Sequence, residues 1–366
     1  MKILYITTIG GTMVFFKQLI QNLIAAGHTV DIASNISHSE VPAFYKELGC
    51  RIFPLSCSRS PLNKGNLNAI GEIKKIVEEN GYDIVHCHTP IAAACTRLAC
   101  RGFRKNGVKV YYTAHGFHFY KGAPLKNWLL YYPIEKLCAH FTDVLITINQ
   151  EDYVRAQKKL KAKKVAYVPG VGVDLDKLKM TVDRAGKRQE LGIPEDATVL
   201  FSVGELNENK NHETVIRAVS DLPVYYMIAG AGGKKETLLQ IVESLGISDR
   251  VKLLGYRKDV GELYGAADAF VFPSFREGLS VSLMEAMTAG LPCVASRIRG
   301  NMDLIDENGG ILFDPHSVED CKTAISQILK ADHGKMGQYN AIRIKDFEIE
   351  KVNQILKQLY ELNTYN

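Results

Sequence analysis

Apolar residues fall along the chain in two alternating rhythms. Residues 3–7 form a short run of strand length, after which Val14, Phe15, Leu19, Ile20, Leu23 and Ile24 return at the spacing of one helix face. Gly27 stands where that helix should stop. A second strand is expected over 30–33, a helix over 68–79, and further strands over 84–86, 110–113 and 144–148. The rhythm pauses at Val168-Pro169-Gly170-Val171-Gly172-Val173-Asp174, where two glycines and a proline predict a hinge. It restarts with apolar runs at 199–203, 225–229, 251–254, 269–272 and 292–295. Strands separated by helices build parallel sheets with right-handed crossovers. The pattern predicts an α/β chain of two doubly wound domains facing across a cleft. Ligands of such sheets bind beyond the carboxyl ends of the strands, so the loops after strands hold the candidate chemistry.

Composition narrows the setting. With 366 residues, 46% of them apolar, the chain can build two cores of ordinary size. No apolar run reaches the roughly 18 residues of a membrane-crossing helix. The opening segment reads as a buried strand rather than a signal peptide. Eight scattered cysteines without a Cys-x2-Cys pair suit reduced thiols in the cytoplasm. The net charge of +5 conceals a split. Residues 1–165 carry 22 Lys and Arg against 11 Asp and Glu, a net of +11; the rest carry 23 against 29, a net of −6. A basic half implies an anionic partner: phospholipid, a diphosphate substrate or nucleic acid. Without zinc-finger spacing or an RNA-binding aromatic signature, nucleic acid ranks last and no such partner is expected.

The richest loop follows the run at 269–272 and reads Pro273-Ser274-Phe275-Arg276-Glu277-Gly278-Leu279-Ser280-Val281-Ser282-Leu283-Met284-Glu285. Ser280 or Ser282 is placed to cap a helix that Gly290 and Pro292 end. Gly278 lets the backbone approach a ligand, and the helix N-terminus favours an anion. Glu285, about one turn into that helix, points at the same cleft as Glu277. A carboxylate suits a sugar because it accepts hydrogen bonds from neighbouring hydroxyls. Taken singly, such glutamates are more often solvated surface charges. The loop Gly204-Glu205-Leu206-Asn207-Glu208-Asn209-Lys210 again follows a strand. Its Lys210 offers a diphosphate a compact positive charge, although an exposed loop lysine accounts for it equally well. Gly10-Gly11-Thr12 follows the first strand and falls short of a Gly-x-Gly-x2-Gly fingerprint, so no nicotinamide cofactor is expected. His86-Cys87-His88 and His115-Gly116-Phe117-His118 also follow strands. Metal ligation and hydrogen-bonded structural roles are both open to them, the second being commoner.

These segments together resemble the family 4 glycosyltransferases, which have the GT-B fold of two Rossmann-like domains. The span from Glu277 to Glu285 is similar to the family's Glu-x7-Glu motif. The resemblance implies that Glu277 contacts the donor sugar and Glu285 holds the nucleotide ribose. The amides of Gly278, Leu279 and Ser280 would lie beside the sugar and diphosphate. The loop containing Gly204, Asn209 and Lys210 resembles the family's Gly-Arg-Leu-x3-Lys loop, in which both cations bind phosphate. Here Glu205 occupies the arginine position, so one cation is missing. Gly10 and Gly11 match a glycine-rich loop that faces the diphosphate. His115 matches a histidine that contacts the donor sugar, and His88 lies in a segment similar to one lining the family's cleft. His118 is placed with His88 as an acceptor or cleft residue.

None of these candidate loops carries an Asp-x-Asp metal motif, which agrees with a metal-independent enzyme that needs no cofactor beyond its nucleotide-sugar substrate. The implied reaction retains anomeric configuration and uses a nucleotide diphosphate donor, UDP-hexose or UDP-N-acetylhexosamine. Its catalytic group is Glu277, His115 and Lys210. The resemblance spans nearly the whole chain. It implies an acceptor-binding domain over 1–165, a hinge over 166–178, a nucleotide-sugar domain over 179–345, and a terminal helix over 346–366 crossing back to the first domain. The stretch from His115 to Asp152 resembles enzymes that build capsule, exopolysaccharide or O-antigen repeats. That implies a saccharide on polyprenyl diphosphate as acceptor.

Phe117, Phe119, Tyr120, Trp128, Tyr131, Tyr132 and Phe141 are interleaved with Lys121, Lys126 and Lys136. A basic run follows: Arg155, Lys158, Lys159, Lys161, Lys163 and Lys164. A core helix and a solvated face would explain these stretches as readily as a bilayer interface. The net charge of the amino-terminal half decides for an anionic membrane, with Trp128 and those lysines as contacts and the protein peripheral at the inner face of the cytoplasmic membrane. Two other activities remain open: a UDP-sugar 2-epimerase of the same architecture, and a non-catalytic sugar-nucleotide-binding protein. Nothing in the sequence specifies an oligomeric state.

Overall fold

The computed structural model describes residues 1–37, 39–176 and 182–361. Residues 177 and 178 of the expected hinge and 362–366 of the expected terminal helix lie outside them. The chain forms two compact units, Met1–Val171 with the segment from Asn353, and Gly172–Val352.

The first unit is built on seven strands: β1 (Lys2–Ile9), β2 (Thr29–Asn35), β3 (Ile52–Pro54), β4 (Ile84–His88), β5 (Lys109–Ala114), β6 (Val144–Thr147) and β7 (Lys164–Tyr167). Their order is β3-β2-β1-β4-β5-β6-β7. All pairs are parallel, with Leu4 opposite Val85 and Val85 opposite Val110. Helices cover the sheet, so central strands are buried on both faces and read as unbroken apolar runs. Edge strands β3 and β7 have no fully buried residue, which is why no such run announces them.

The first helix departs from its sequence reading. Gly10–Phe16 is a 3-10 helix, and the α-helix begins only at Lys17. Three residues per turn rotate the early positions off the later stripe. Val14 and Phe15 are therefore exposed, while Leu19, Ile20 and Leu23 are buried.

The aromatic stretch is also corrected. Phe117 and Phe119 are buried, and Trp128, Tyr131 and Tyr132 pack against the same core. Trp128, Tyr131 and Tyr132 lie on the inner face of the helix Leu125–Ala139, against Phe117 and Phe119 from the segment before it. That helix is pinned by a buried ion pair, Arg97 to Glu135 at 2.8 Å, with the Arg97 guanidinium 4.2 Å from the centre of the Tyr112 ring. Its outer face carries Leu130, Ile134 and Leu137, while Leu125 and Leu129 stand at the edge of the aromatic face; all five are exposed.

The second unit has six strands: β8 (Thr198–Val203), β9 (Val224–Ala229), β10 (Val251–Gly255), β11 (Ala269–Phe272), β12 (Cys293–Ser296) and β13 (Gly310–Phe313). They are ordered β10-β9-β8-β11-β12-β13, again all parallel. The final helix, Ile349–Glu361, begins in this unit and from Asn353 belongs to the first. There the Tyr360 hydroxyl meets Tyr5 and lies 2.6 Å from His86 Nδ1. All eight cysteines are buried and unpaired. No helix among the described residues is long and apolar enough to cross a membrane.

Candidate active site

In both sheets the winding reverses beside the first strand, between β1 and β4 and between β8 and β11. A reversal of strand order sets the two following loops apart from each other's helices and opens a crevice at the strand ends. In the second unit these are the two loops singled out from the sequence.

Lys210 Nζ donates to Glu277 Oε1 at 2.8 Å, joining the loop after β8 to the loop after β11. The side chains are 20% and 16% exposed, so the pair is sheltered yet reachable. The ammonium also lies 4.8 Å from the centre of the Phe272 ring, where the ring's negative face favours a cation. The loops are stitched together by Phe275 N–H to the Asn209 carbonyl at 2.8 Å and by Asn209 Nδ2 to the Arg276 carbonyl at 3.0 Å. Asn211, in the left-handed region at φ 54°, donates to the carbonyls of Pro273 and Pro315.

Ser280 caps the helix Val281–Thr288, its hydroxyl accepting from Leu283 N–H at 3.4 Å. Behind this turn Arg299 Nε reaches the Glu277 carbonyl at 3.3 Å. A Cβ on Gly300 would lie 2.1 Å from the Gly278 carbonyl oxygen, so only glycine lets the loop after β12 support this turn. Arg299 and Gly300 were missed in the sequence, although they too follow a strand.

Glu285 lines a different part of the unit, a cavity of about 590 Å³. Gly204, Glu205, Gly230, Tyr256, Arg257 and Lys258 share that cavity, whereas Lys210 and Glu277 are not among its lining residues. The buried Tyr264 hydroxyl lies 3.2 Å from Glu285 Oε2 and 2.9 Å from the Ser282 carbonyl. Burial pushes this phenol well above its ordinary pKa, so it stays a donor, its one proton shared between the Ser282 carbonyl and the carboxylate.

In the first unit the loops after β1 and β4 meet through threonines. Thr8 N–H donates to Thr89 Oγ1 at 3.1 Å, and the two hydroxyls are 2.7 Å apart. Gly10 is small for an internal reason: a Cβ there would lie 2.5 Å from the Ser39 carbonyl oxygen. Gly11 would meet the Ser39 hydroxyl in the same way. Thr12, Thr89, Pro90, His118 and Arg59 line a cavity of about 240 Å³, in which the His118 and Tyr131 rings meet at a tilt of 30° with centres 4.4 Å apart. Arg59 was not foreseen.

His88 and His115 are joined, Nδ1 to Nε2, at 3.1 Å. His86 is engaged on both nitrogens, with Thr113 at 2.8 Å and Tyr360 at 2.6 Å. Burial lowers all three imidazoles, His86 to about 3, His115 to about 4 and His88 well below its ordinary value. They are neutral at pH 7, and the bond from His88 fixes how the His115 ring is turned. His88 Nε2 is buried with no hydrogen-bond partner among the described residues. No group of three or more His, Cys, Asp or Glu among those residues is arranged to hold a metal ion.

Of the residues expected at a membrane, Trp128 is half-buried, with the Arg155 guanidinium 5.5 Å from the ring centre. Lys158, Lys159, Lys161, Lys163 and Lys164 are exposed.

Comparison with known proteins gives this geometry a family. Residues 2–149 match the model of glycosyl transferase 4-like domains, and residues 183–343 match that of glycosyl transferases group 1. EpsD of Bacillus subtilis (strain 168), named as a glycosyltransferase, is 40% identical over 270 residues, 71% of each chain. An Escherichia coli enzyme named UDP-Gal:alpha-D-GlcNAc-diphosphoundecaprenol alpha-1,3-galactosyltransferase is 28% identical over 75% of this chain and 73% of its own. Among solved structures, Anabaena HepE in complex with UDP superposes with a TM-score of 0.82 at 19% identity, covering 99% of this chain and 100% of that one. The chain belongs to the family 4 glycosyltransferases, with two Rossmann-like units of the GT-B fold.

Proposed function

We propose that this glycosyltransferase moves a hexose or N-acetylhexosamine from UDP, with retention, to a saccharide carried on polyprenyl diphosphate. The work is done at an anionic membrane surface, in the assembly of an exopolysaccharide, capsule or similar surface polymer. The observation that carries the donor half is the Lys210–Glu277 pair at the switch point of the second sheet. It sets a cation for the leaving diphosphate beside a carboxylate for the sugar hydroxyls.

In the reaction the bond from the anomeric carbon to the diphosphate oxygen breaks. A bond from that carbon to an acceptor hydroxyl oxygen forms on the same face. The hydroxyl proton passes to the departing diphosphate, and UDP leaves. Negative charge grows on the diphosphate as the bond breaks, so Lys210 and the amides of Gly278, Leu279 and Ser280 stabilise the transition state more than the ground state. Glu285, fixed by Tyr264, accepts from the ribose hydroxyls, and neutral His115 orients the sugar. With these groups in place the step needs no metal.

The acceptor half is supported by the activity for which the Escherichia coli relative is named and by the basic first 165 residues. The leucine face of the helix Leu125–Ala139 supports the membrane. The test is a transfer assay in EDTA with a panel of UDP-sugars and undecaprenyl-diphosphate saccharides, the product anomer being read by NMR. Retained transfer to a lipid-linked saccharide is expected. Epimerised donor without transfer, an inverted product, or activity only with added divalent ion would overturn the reading.

A further inference from the structure

Between the helices Leu125–Ala139 and Gln150–Lys159 runs an open groove of about 610 Å³. Its walls are Trp128, Tyr132 and Val154, with Glu151, Arg155, Lys158 and Lys159 along the rim. Val154 is 42% exposed, although it is β-branched and apolar. The rim charges fall into two classes. Arg155 is satisfied internally, bonding Glu151 at 2.8 Å and Asp152 at 3.4 Å. Lys158 and Lys159 form no ion pair among the described residues and are exposed. The groove therefore has an apolar floor and two uncommitted cations at one end of it. Leu125 and Leu129, 73% and 70% exposed, each precede a wall residue by three positions, so the apolar surface continues out of the groove along the helix.

An apolar channel with cations at its end matches an amphiphile that has one narrow chain and an anionic head. We propose that this groove holds the first isoprene units of the acceptor's polyprenyl chain, with its diphosphate on Lys158 and Lys159. The inference rests on the lipid-linked acceptor of the proposed function and adds where the lipid is gripped. The volume lies within the roughly 300–1,000 Å³ of ligand sites, and the aromatic lining is typical of them.

Trp128 is the only tryptophan in the chain, so its emission reports the groove directly. The experiment titrates the full-length protein, without detergent, with dimethylallyl, geranyl and farnesyl diphosphate below their aggregation limits. Inorganic pyrophosphate and farnesol serve as head-only and chain-only probes. Farnesyl diphosphate should shift Trp128 emission saturably and bind at least about tenfold more tightly than dimethylallyl diphosphate, because added carbons are removed from water. Val154→Asp, at an exposed position, should flatten this dependence on chain length. Lys158→Glu with Lys159→Glu should erase the advantage of farnesyl diphosphate over farnesol. Equal affinity for pyrophosphate and farnesyl diphosphate would overturn the groove, as would equal response to a short-chain anionic phospholipid. The same variants are then assayed for transfer. If wild type uses undecaprenyl-linked acceptor and Val154→Asp leaves its KM unchanged, the groove fails while the function stands. If wild type uses only soluble acceptors, the function itself fails.

Discussion

On the proposed reading, Glu277→Gln separates two roles that a single charge plays. In the structure the carboxylate holds Lys210 at 2.8 Å, so a diphosphate arriving at the same ammonium meets a fixed negative charge nearby. Two groups sharing one ammonium stand about 6 Å apart. At an effective dielectric near 50, that repulsion is about 1 kcal/mol per elementary charge. Removing the carboxylate's charge should tighten UDP binding about fivefold or more, because 1.4 kcal/mol is tenfold. Transfer should nevertheless fall about a hundredfold, since the sugar loses an ionic acceptor and the lysine its fixed position. Lys210→Ala should act in the other direction on binding, weakening UDP. It should slow transfer by about a hundred- to a thousandfold, typical for loss of one donor to developing negative charge. The double variant should be little slower than Lys210→Ala alone, as residues acting as a unit are non-additive. Calorimetric titration with UDP in EDTA, alongside single-turnover transfer, measures both effects. Weaker UDP binding by a folded Glu277→Gln variant would refute the argument, and so would near-normal transfer.

Three other outcomes follow from the first unit. Glu135→Gln should destabilise it by about 3–5 kcal/mol, because Arg97 is left as a buried, unpaired charge; denaturant unfolding checks this. The lowered histidines make the folded unit lose stability as pH falls below about 6.5, where the unfolded chain takes up protons that the fold refuses. With His86 held to about 3, that group alone contributes about 2 kcal/mol of loss at pH 5, and none above pH 7. Thermal unfolding at pH 7 and pH 5 should show the loss, and His86→Asn should reduce it. Leu129→Ser with Leu137→Ser should weaken co-sedimentation with anionic vesicles at low salt, whereas unchanged binding would remove the leucine face from the membrane reading.

What could be read in the sequence depended on how each residue's neighbours arise. Central strands such as 3–6 and 269–272 are buried on both faces, so each is a continuous apolar run visible without any partner. Edge strands β3 and β7 bury too little to show one. The chemistry-bearing loops were visible because a strand precedes each, and the structure joins two of them through Lys210 and Glu277. Tyr264 and Arg299 were not visible, because their contacts with Glu285 and with the turn at Glu277 exist only once distant segments meet. The helix Leu125–Ala139 misled for a different reason. Trp128, Tyr132 and Glu135 fall on one face, and Leu130, Ile134 and Leu137 fall on the other. With apolar residues on both faces, periodicity offers no choice of which turns inward. The buried Arg97–Glu135 pair makes that choice, placing the aromatic face inside and the leucines out.

On the proposed reading, Glu205 is the departure from the family's loop that most shapes the donor site. It lines the cavity that also holds Glu285, and its Oε2 accepts from Asn207 Nδ2 at 2.9 Å. Of the two cations lining that cavity, Arg257 is committed to Asp259 and Glu190, the latter at 2.9 Å. Lys258 has no ion pair among the described residues. Two carboxylates with one uncommitted lysine suit a neutral, hydroxyl-rich ligand better than a phosphate, since ionised carboxylates only accept hydrogen bonds. On the proposed reading the cavity takes the nucleoside. The diphosphate is then left to Lys210 and the capped helix at Ser280, with Glu205 where the family's second cation would stand. A site with one cation in place of two concentrates the transition-state charge on that cation. This is the physical reason to expect the loss in Lys210→Ala at the upper end of its range.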